Sequence, residues 1–369
     1  MPKKTAGSST SLTQLTAQLQ GYQRTEKFPA RLQAEIGPSD GHMQCLKAAL
    51  QAACTLEFAT IPPYLTALWS IKDELSPVAK SIREVVHEEM LHMSLACNML
   101  ASIGGQPNIS SALPEYPGPL PGGVHKGLIA KLSGLTKAAL SDFLWIERPV
   151  DKVPIENPFD QPAKDWDGEI DLTQDVTIGA FYDAIKASFI QGKPPMSPDH
   201  QIAGPLAMGV IRDQKGVDWA IELIKHQGEG STDGPSYTSG ENQKKSHFYR
   251  FLEVYKETEL VWDEKKKKLV HGKPIPFPDI WKMAVVPEGG YRQEDVSADV
   301  WHHLDQFDEA YTRMVDLLQG AWTRGGQACF VHAIEEMFNL EKHAKILMQV
   351  KIPGEGGKTY GPCFRYKAS

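Results

Sequence analysis

The sequence predicts an all-α fold: a helical bundle with long Pro/Gly-rich insertions and a C-terminal helical pair. Three observations carry that reading. Apolar residues recur at three- and four-residue spacing along successive segments. Helix start and stop signals bracket those segments, such as Ser76-Pro77 at one end and Gly104-Gly105 at the other. The 369 residues are 41% hydrophobic and 23% charged, enough apolar material for a large core.

Residues 1–41 read as a partly flexible leader with at most one short helix. From His42 to about Ile71 the pattern is helical, and Pro62-Pro63 falls inside it. Proline cannot donate to the carbonyls one turn back, so a bend is expected just after Glu57. That bend, lined by Ile61, Tyr64 and Trp69, would widen the bundle into a substrate pocket; a tolerated kink is the alternative. Ser76 caps a second helix, Pro77 takes its first position, and Gly104-Gly105 ends it after Ser102. Residues 106–135 form an ordered Pro/Gly-rich loop punctuated by Leu113, Tyr116 and Leu120.

A short helix follows over Thr136 to Glu147, stopped before Pro149, and then loop over 148–175. Further helices are expected over Thr177 to Ile190, Gly216 to Gln227 and Ser246 to Thr258. Leu260 to Tyr291 reads as irregular, with Lys265 to Lys268 a solvated turn. Two long amphipathic helices close the chain, about Ala298 to Trp322 and Gln327 to Val350. The organisation is a leader over 1–41, a metal-binding bundle over 42–258, and a linker with a helical extension packed on the bundle over 259–369.

With 39 basic and 46 acidic residues the net charge is −7, which argues against nucleic acid as the main partner. Ala48 to Ile71 has the length of a membrane span. Its two prolines, Gln51 and the mid-stretch Glu57 argue instead for a buried core helix. The five cysteines include no Cys-x-x-Cys pair and sit largely in apolar helical stretches, pointing to a reducing, cytoplasmic setting. The basic, then Ser/Thr-rich start is not a secretory signal.

The chemistry lies in the helix stripes. Leu50, Cys54, Glu57, Ile61, Tyr64 and Leu68 share one face, apolar except for Glu57. Ile82, Val85, Glu89, His92, Ala96 and Met99 share another, apolar except for Glu89 and His92. Unpaired buried carboxylates cost several kcal/mol each, so two of them with an imidazole on adjacent helices call for a shared positive centre. A Glu on one helix and Glu-x-x-His on the next form half of the carboxylate-bridged dimetal site of ferritin-like bundles. Oxygen ligands with imidazole suit iron, as one or two ions, or manganese. Glu84 and Glu88 share a face with Ser81, expected to be the wet one, so the stripe favours Glu89 over Glu88.

The other half of the site is expected from later segments. Glu229 stands at a helix end between glycines, and His247 lies on a stripe with Phe248, Phe251 and Val254. Position 244 is Lys, so a second Glu-x-x-His is missing. For His247 a core histidine bonded to a carbonyl is an equal alternative. His332, Glu336, Asn339 and His343 share a face opposite the apolar one and read as solvated.

Seven separated motifs now carry a resemblance. They begin with Leu56-Glu57-Phe58-Ala59-Thr60-Ile61-Pro62-Pro63-Tyr64-Leu65 and Glu88-Glu89-Met90-Leu91-His92, with Asn98 and Ile103-Gly104-Gly105 behind. They continue through Tyr116-Pro117-Gly118-Pro119-Leu120-Pro121-Gly122, Ile146-Glu147-Arg148-Pro149, and Thr177-Ile178-Gly179 with Phe181-Tyr182. They end with Gln227-Gly228-Glu229-Gly230 and His247-Phe248-Tyr249-Arg250-Phe251. From about residue 42 to 258 the chain resembles the ferritin-like domain of the iminophenyl-pyruvate dimer synthase family. The resemblance implies a ferritin-like bundle and a metal-dependent oxidative role, as in violacein- and rebeccamycin-type pathways, where relatives couple imines from aromatic amino acids.

The expectation is a non-haem iron oxidoreductase, dinuclear or mononuclear, acting on a small organic substrate in secondary metabolism. Its expected ligands are Glu57, Glu89, His92, Glu229 and His247. An iron-handling protein and a metal-free scaffold of the same fold are the alternatives, and a homo-oligomer is allowed.

Overall fold

The structure, a computed structural model, describes residues 40–149, 176–204, 209–230, 244–263, 265–266 and 268–368. Most of the expected leader and of the 148–175 loop lies outside the described residues. Among the described residues there are eight α-helices: α1 (Asp40–Trp69), α2 (Pro77–Ser102), α3 (Lys137–Ile146), α4 (Ile178–Gly192), α5 (Gln214–Gly228), α6 (His247–Lys256), α7 (Ala298–Gly320) and α8 (Gly326–Gln349). The fold is mostly helical, as the sequence predicts, and no helix among the described residues is long and apolar enough to cross a membrane.

Local chemistry starts most of these helices. Ser76 Oγ accepts from Ala79 N at 3.2 Å with Pro77 in the first turn of α2. Thr136, Thr177, Asp213 and Ser297 cap α3, α4, α5 and α7 in the same way. Each such cap stabilises its helix by about 1 kcal/mol.

The helices α1 and α2 form the central pair and bury Leu46, Leu50, Leu56, Val85, Leu95 and Met99 between themselves and their neighbours. On one side of this pair α3 packs on α6 and α4 on α5. The last two helices, α7 and α8, form a hairpin that also touches α1. They are joined by a single π-helical turn, Ala321–Gly325. Asn98 of α2 anchors that turn: its Oδ1 accepts from Trp322 Nε1 at 2.9 Å and from Ile202 N at 2.9 Å.

At Pro62-Pro63 the helix does not end: α1 runs through both prolines. The carbonyl of Ala59, which Pro63 leaves without its helical donor, accepts from Tyr116 Oη at 2.7 Å. Nor do the three expected residues line one pocket. Ile61 lines a cavity against α7 and α8, Tyr64 turns to the opposite side, and Trp69 packs on Phe307 and Phe364.

The stretch expected to be irregular after α6 contains a β-hairpin. Thr258–Asp263 (β3) pairs antiparallel with Lys268–Pro274 (β4), in register Val261↔Val270 and Trp262↔Leu269. Leu260 and Leu269 are buried beneath it. The run is too short for its alternation to stand out from the helical pattern before it. The exposed Lys265 and Lys266 form its turn, held by Asp263 Oδ1. A shorter pair, Gly118–Pro119 (β1) with Ile129–Ala130 (β2), ties down the Pro/Gly-rich loop.

Candidate metal centre

Five helices deliver polar side chains to one point in the core. Glu57 comes from the middle of α1, and Glu89 and His92 from one face of α2. Glu147 is the residue that ends α3. It continues the stripe Leu140, Phe143, Leu144 by one more turn, so the packing that buries those residues buries it too. His247 opens α6, and Tyr182 faces in from α4. Each of these six residues is at most 3% exposed.

Glu89 stands between the two imidazoles. Its Oε1 lies 2.7 Å from His247 Nδ1 and 3.6 Å from His92 Nδ1. Glu57 Oε2 approaches His92 Nδ1 from the other side at 3.6 Å, and Glu147 Oε1 approaches His247 Nδ1 at 3.7 Å. The rings of His92 and His247 lie 5.4 Å apart at 26°. The arrangement is two-sided: Glu57 with His92, Glu147 with His247, and Glu89 shared. One ligand atom from each of Glu89, His92 and His247 lies within 4.8 Å of the others.

Both imidazoles present Nδ1 to the centre because Nε2 is engaged outside it. His92 Nε2 donates to Gln227 Oε1 at 2.8 Å. His247 Nε2 donates to Glu88 Oε2 at 3.0 Å. Placing the proton on Nε2 leaves the Nδ1 lone pair free for a cation, the usual way an outer carboxylate or amide fixes a ligand histidine. The carboxylates are held likewise. Tyr182 Oη donates to Glu57 Oε1 at 2.6 Å, Tyr64 Oη to Glu147 Oε1 at 2.7 Å, and Thr60 Oγ1 to Glu89 Oε2 at 2.7 Å. Burial pushes both phenols well above their ordinary range, so they remain donors.

Charge is the unresolved quantity in this dry space. Burial raises the Glu57 carboxyl, and the charge of Glu89 adds to it. Burial would raise Glu89 as well, yet the two imidazoles beside it, His247 and His92, hold it far below the carboxylate range. Burial opposes charging His92, but Glu57 and Glu89 push it up to about 10. Burial opposes charging His247 as well, but the charge of Glu147, with Glu88 and Glu89, moves it up. The carboxylates thus demand positive charge from the two imidazoles. A bound cation supplies that charge directly and frees both Nδ1 atoms to ligate.

A metal fits these residues on a further observation. His247 Nδ1 is fully buried and makes no hydrogen bond of acceptable direction, although Glu89 Oε1 is only 2.7 Å away. A buried ring nitrogen with no aligned donor or acceptor, facing carboxylate oxygens, has the chemistry of a cation ligand.

Two sequence expectations meet different surroundings. Glu229 is buried at the end of α5, but its carboxylate turns to the first turn of α4, where Oε1 accepts from Gly179 N at 2.6 Å. A Cβ on Gly179 would stand 2.5 Å from Glu229 Oε2, so glycine is what admits this contact. Burial raises the Glu229 carboxyl to about 7. The residue of that segment that touches a ligand histidine is Gln227. Glu88, expected on a wet face, is buried: α6 covers it, and Arg250 Nη2 at 3.4 Å and Lys244 Nζ at 3.7 Å balance its charge. Glu147 was open to sequence reasoning through its place one turn beyond Phe143, but the proline two residues on marks the position as a helix end and hides the stripe.

The sequence matches the family described as Ferritin-like over residues 50–256. A crystal structure of a ferritin-like protein from Caulobacter vibrioides is similar, with a TM-score of 0.58, 21% identity, and coverage of 87% of this chain and 97% of that one. At that identity the likeness is one of fold. No curated protein matches the sequence.

Proposed function

The chain belongs to the ferritin-like family, and on that premise we propose that it is a non-haem iron oxidoreductase with two irons per centre. The observation that carries this reading is Glu89 set between His92 Nδ1 and His247 Nδ1, with Glu57 and Glu147 outside. Glu57 and His92 would hold one ion, Glu147 and His247 the other, with Glu89 in reach of both. Iron there would supply one-electron chemistry with dioxygen or peroxide that no side chain of the chain can perform.

The chain's own residues do the rest. Tyr182, Tyr64 and Thr60 fix the three carboxylates. Gln227 and Glu88 keep the Nε2 protons in place and so hold both imidazoles in the ligating tautomer. The apolar helices exclude bulk water, which strengthens every charge interaction inside. Glu229, buried beside this group and engaged with Gly179, sets the joint between α5 and α4.

The substrate we propose is a small organic molecule, derived from an aromatic amino acid as in the relatives that the motifs resemble, and the setting is cytoplasmic secondary metabolism. The five free cysteines support a reducing compartment. Iron content of the purified protein, with Glu89→Ala and His92→Ala beside it, tests the metal reading. About two irons per chain in wild type and loss in the variants support it. Wild type without iron overturns it.

A further inference from the structure

A second group of imidazoles lies outside the core, at the open end of the α7–α8 hairpin. His303 stands near the start of α7 and His343 near the end of α8, so they meet away from the π-helical turn that joins the two helices. Each follows the packing of a fully buried neighbour, Leu304 beside His303 and Ala344 beside His343. The hairpin core therefore fixes where the two rings face each other. On α8, His343 shares a face with His332, Glu336 and Asn339. His332 and Asn339 are exposed, whereas Glu336 and His343 are half-buried and turn to Arg313 and His303 of α7.

The two rings stand at a separation that suits an ion better than a proton. His303 Nδ1 lies 3.5 Å from His343 Nδ1, with ring centroids 5.7 Å apart and planes at 43°. A hydrogen bond between two ring nitrogens settles near ~3.0 Å. Two nitrogens bound to one tetrahedral ion at about 2.0–2.1 Å lie about 3.4 Å apart. Burial, with the nearby His302 and Lys342, lowers both imidazoles from their ordinary range, so each has a lone pair to give at neutral pH. Asp299 precedes His303 by one helical turn on the same face of α7. It is exposed, and its charge reaches the His303 ring. Lys342 and Arg313 oppose a cation, but Lys342 is exposed to solvent and Arg313 is engaged by Glu336 at 3.2 Å. Paired imidazoles select a borderline ion such as zinc, whereas magnesium and calcium take oxygen ligands.

We propose that His303 and His343 bind a zinc ion through their Nδ1 atoms, with Asp299 as third ligand and water as the fourth. The ion clamps the open end of the hairpin, opposite the turn that closes the other end. The site shares no residue with the carboxylate centre and does not rest on the proposed oxidative function.

Equilibrium dialysis of the full-length protein against micromolar zinc, followed by elemental analysis, tests the assignment. Zinc taken up at the carboxylate centre is common to wild type and variants and cancels in the difference. Wild type is expected to hold about one zinc more per chain than His303→Ala or His343→Ala, and Asp299→Asn less than wild type. Should an alanine variant fail to fold, His303→Gln and His343→Gln keep the bulk and repeat the comparison. Zinc is expected to raise the unfolding temperature of wild type beyond that of the histidine variants, and magnesium is not. Crystals soaked at the same zinc concentration and read at the zinc edge are expected to show a peak between the two Nδ1 atoms. Equal zinc in wild type and the histidine variants overturns the site, as does an equal rise with magnesium. A peak in the crystal without the extra zinc in solution overturns it too. Full retention in Asp299→Asn overturns the third ligand.

Discussion

His247 turns Nδ1 to within 2.7 Å of Glu89 Oε1, yet forms no hydrogen bond there of acceptable direction. The ring is fixed from behind by Nε2, which donates to Glu88 at 3.0 Å. Position and proton are therefore set by the outer carboxylate, and the inner nitrogen is left for another atom.

Glu88→Ala removes that outer partner and leaves Arg250 without its buried counter-charge. Iron affinity should fall about 10–100-fold with the helical content retained, because the imidazole loses its fixed tautomer and orientation. Titration of the metal-free protein with ferrous iron, followed by calorimetry, measures this. Unchanged affinity would remove Glu88 from the account.

Lys244 occupies the place where a second Glu-x-x-His would carry its acid. Its Nζ lies 3.7 Å from Glu88 Oε1, with the side chain about half exposed. Lys244→Glu would complete the familiar spacing, yet set a carboxylate beside Glu88. The expected result is a loss of about 1 kcal/mol in stability and no gain in iron content, read by denaturant unfolding and metal analysis. A rise in bound iron would show that Lys244 is the missing ligand position after all.

Gly179→Ala tests the joint at Glu229. Alanine normally favours a helix over glycine by about 1 kcal/mol. Here its Cβ would meet Glu229 Oε2 at 2.5 Å and displace a buried, hydrogen-bonded carboxylate. The variant is expected to lose about 1–3 kcal/mol instead. Chemical denaturation gives the sign directly, and a stabilised variant contradicts the packing described.

Stability should also carry a pH signature far from the centre. Asp308 accepts from Arg365 N at 3.1 Å and Arg365 Nε at 2.7 Å, which pins the C-terminal tail to α7. Burial outweighs the Arg365 charge and raises the carboxyl from 3.8 to about 6. The folded state then binds the proton more tightly than the unfolded one. This contribution is complete below the unfolded value and is lost as pH rises through about 6. Compared with Asp308→Asn, wild type should lose on the order of 3 kcal/mol between about pH 4 and pH 7. Parallel stability curves for the two proteins would contradict it.

Much of this was legible in the spacing of residues. Glu57, Glu89 and His92 interrupt long apolar stripes, and an interruption of that kind marks a buried polar group wherever its neighbours are core. Glu88 defeats the same logic, because it lies off the α2 stripe and is buried only by α6, a contact made by tertiary packing. Glu147 lies one turn beyond Phe143 at the end of a ten-residue helix, which gives its stripe too few turns to mark the carboxylate as buried. The hairpin at Thr258–Pro274 and the unbroken α1 share a cause. The hairpin rests on pairing across a turn, Val261 with Val270 and Trp262 with Leu269, and the Ala59 carbonyl on Tyr116, 57 residues away; the helical pattern of either segment carries no trace of these partners.

The central claim is that Glu57, Glu89, His92, Glu147 and His247 hold iron. The most direct measurement is the iron content of protein purified from iron-supplemented cells, by elemental analysis against protein concentration, with Glu147→Ala and His247→Ala alongside Glu57→Ala and His92→Ala. The account predicts about two irons per chain in wild type, and loss of at least one from each pair of variants on its own side of Glu89. Wild-type protein that folds and binds no iron, or variants that retain the wild-type content, would contradict it.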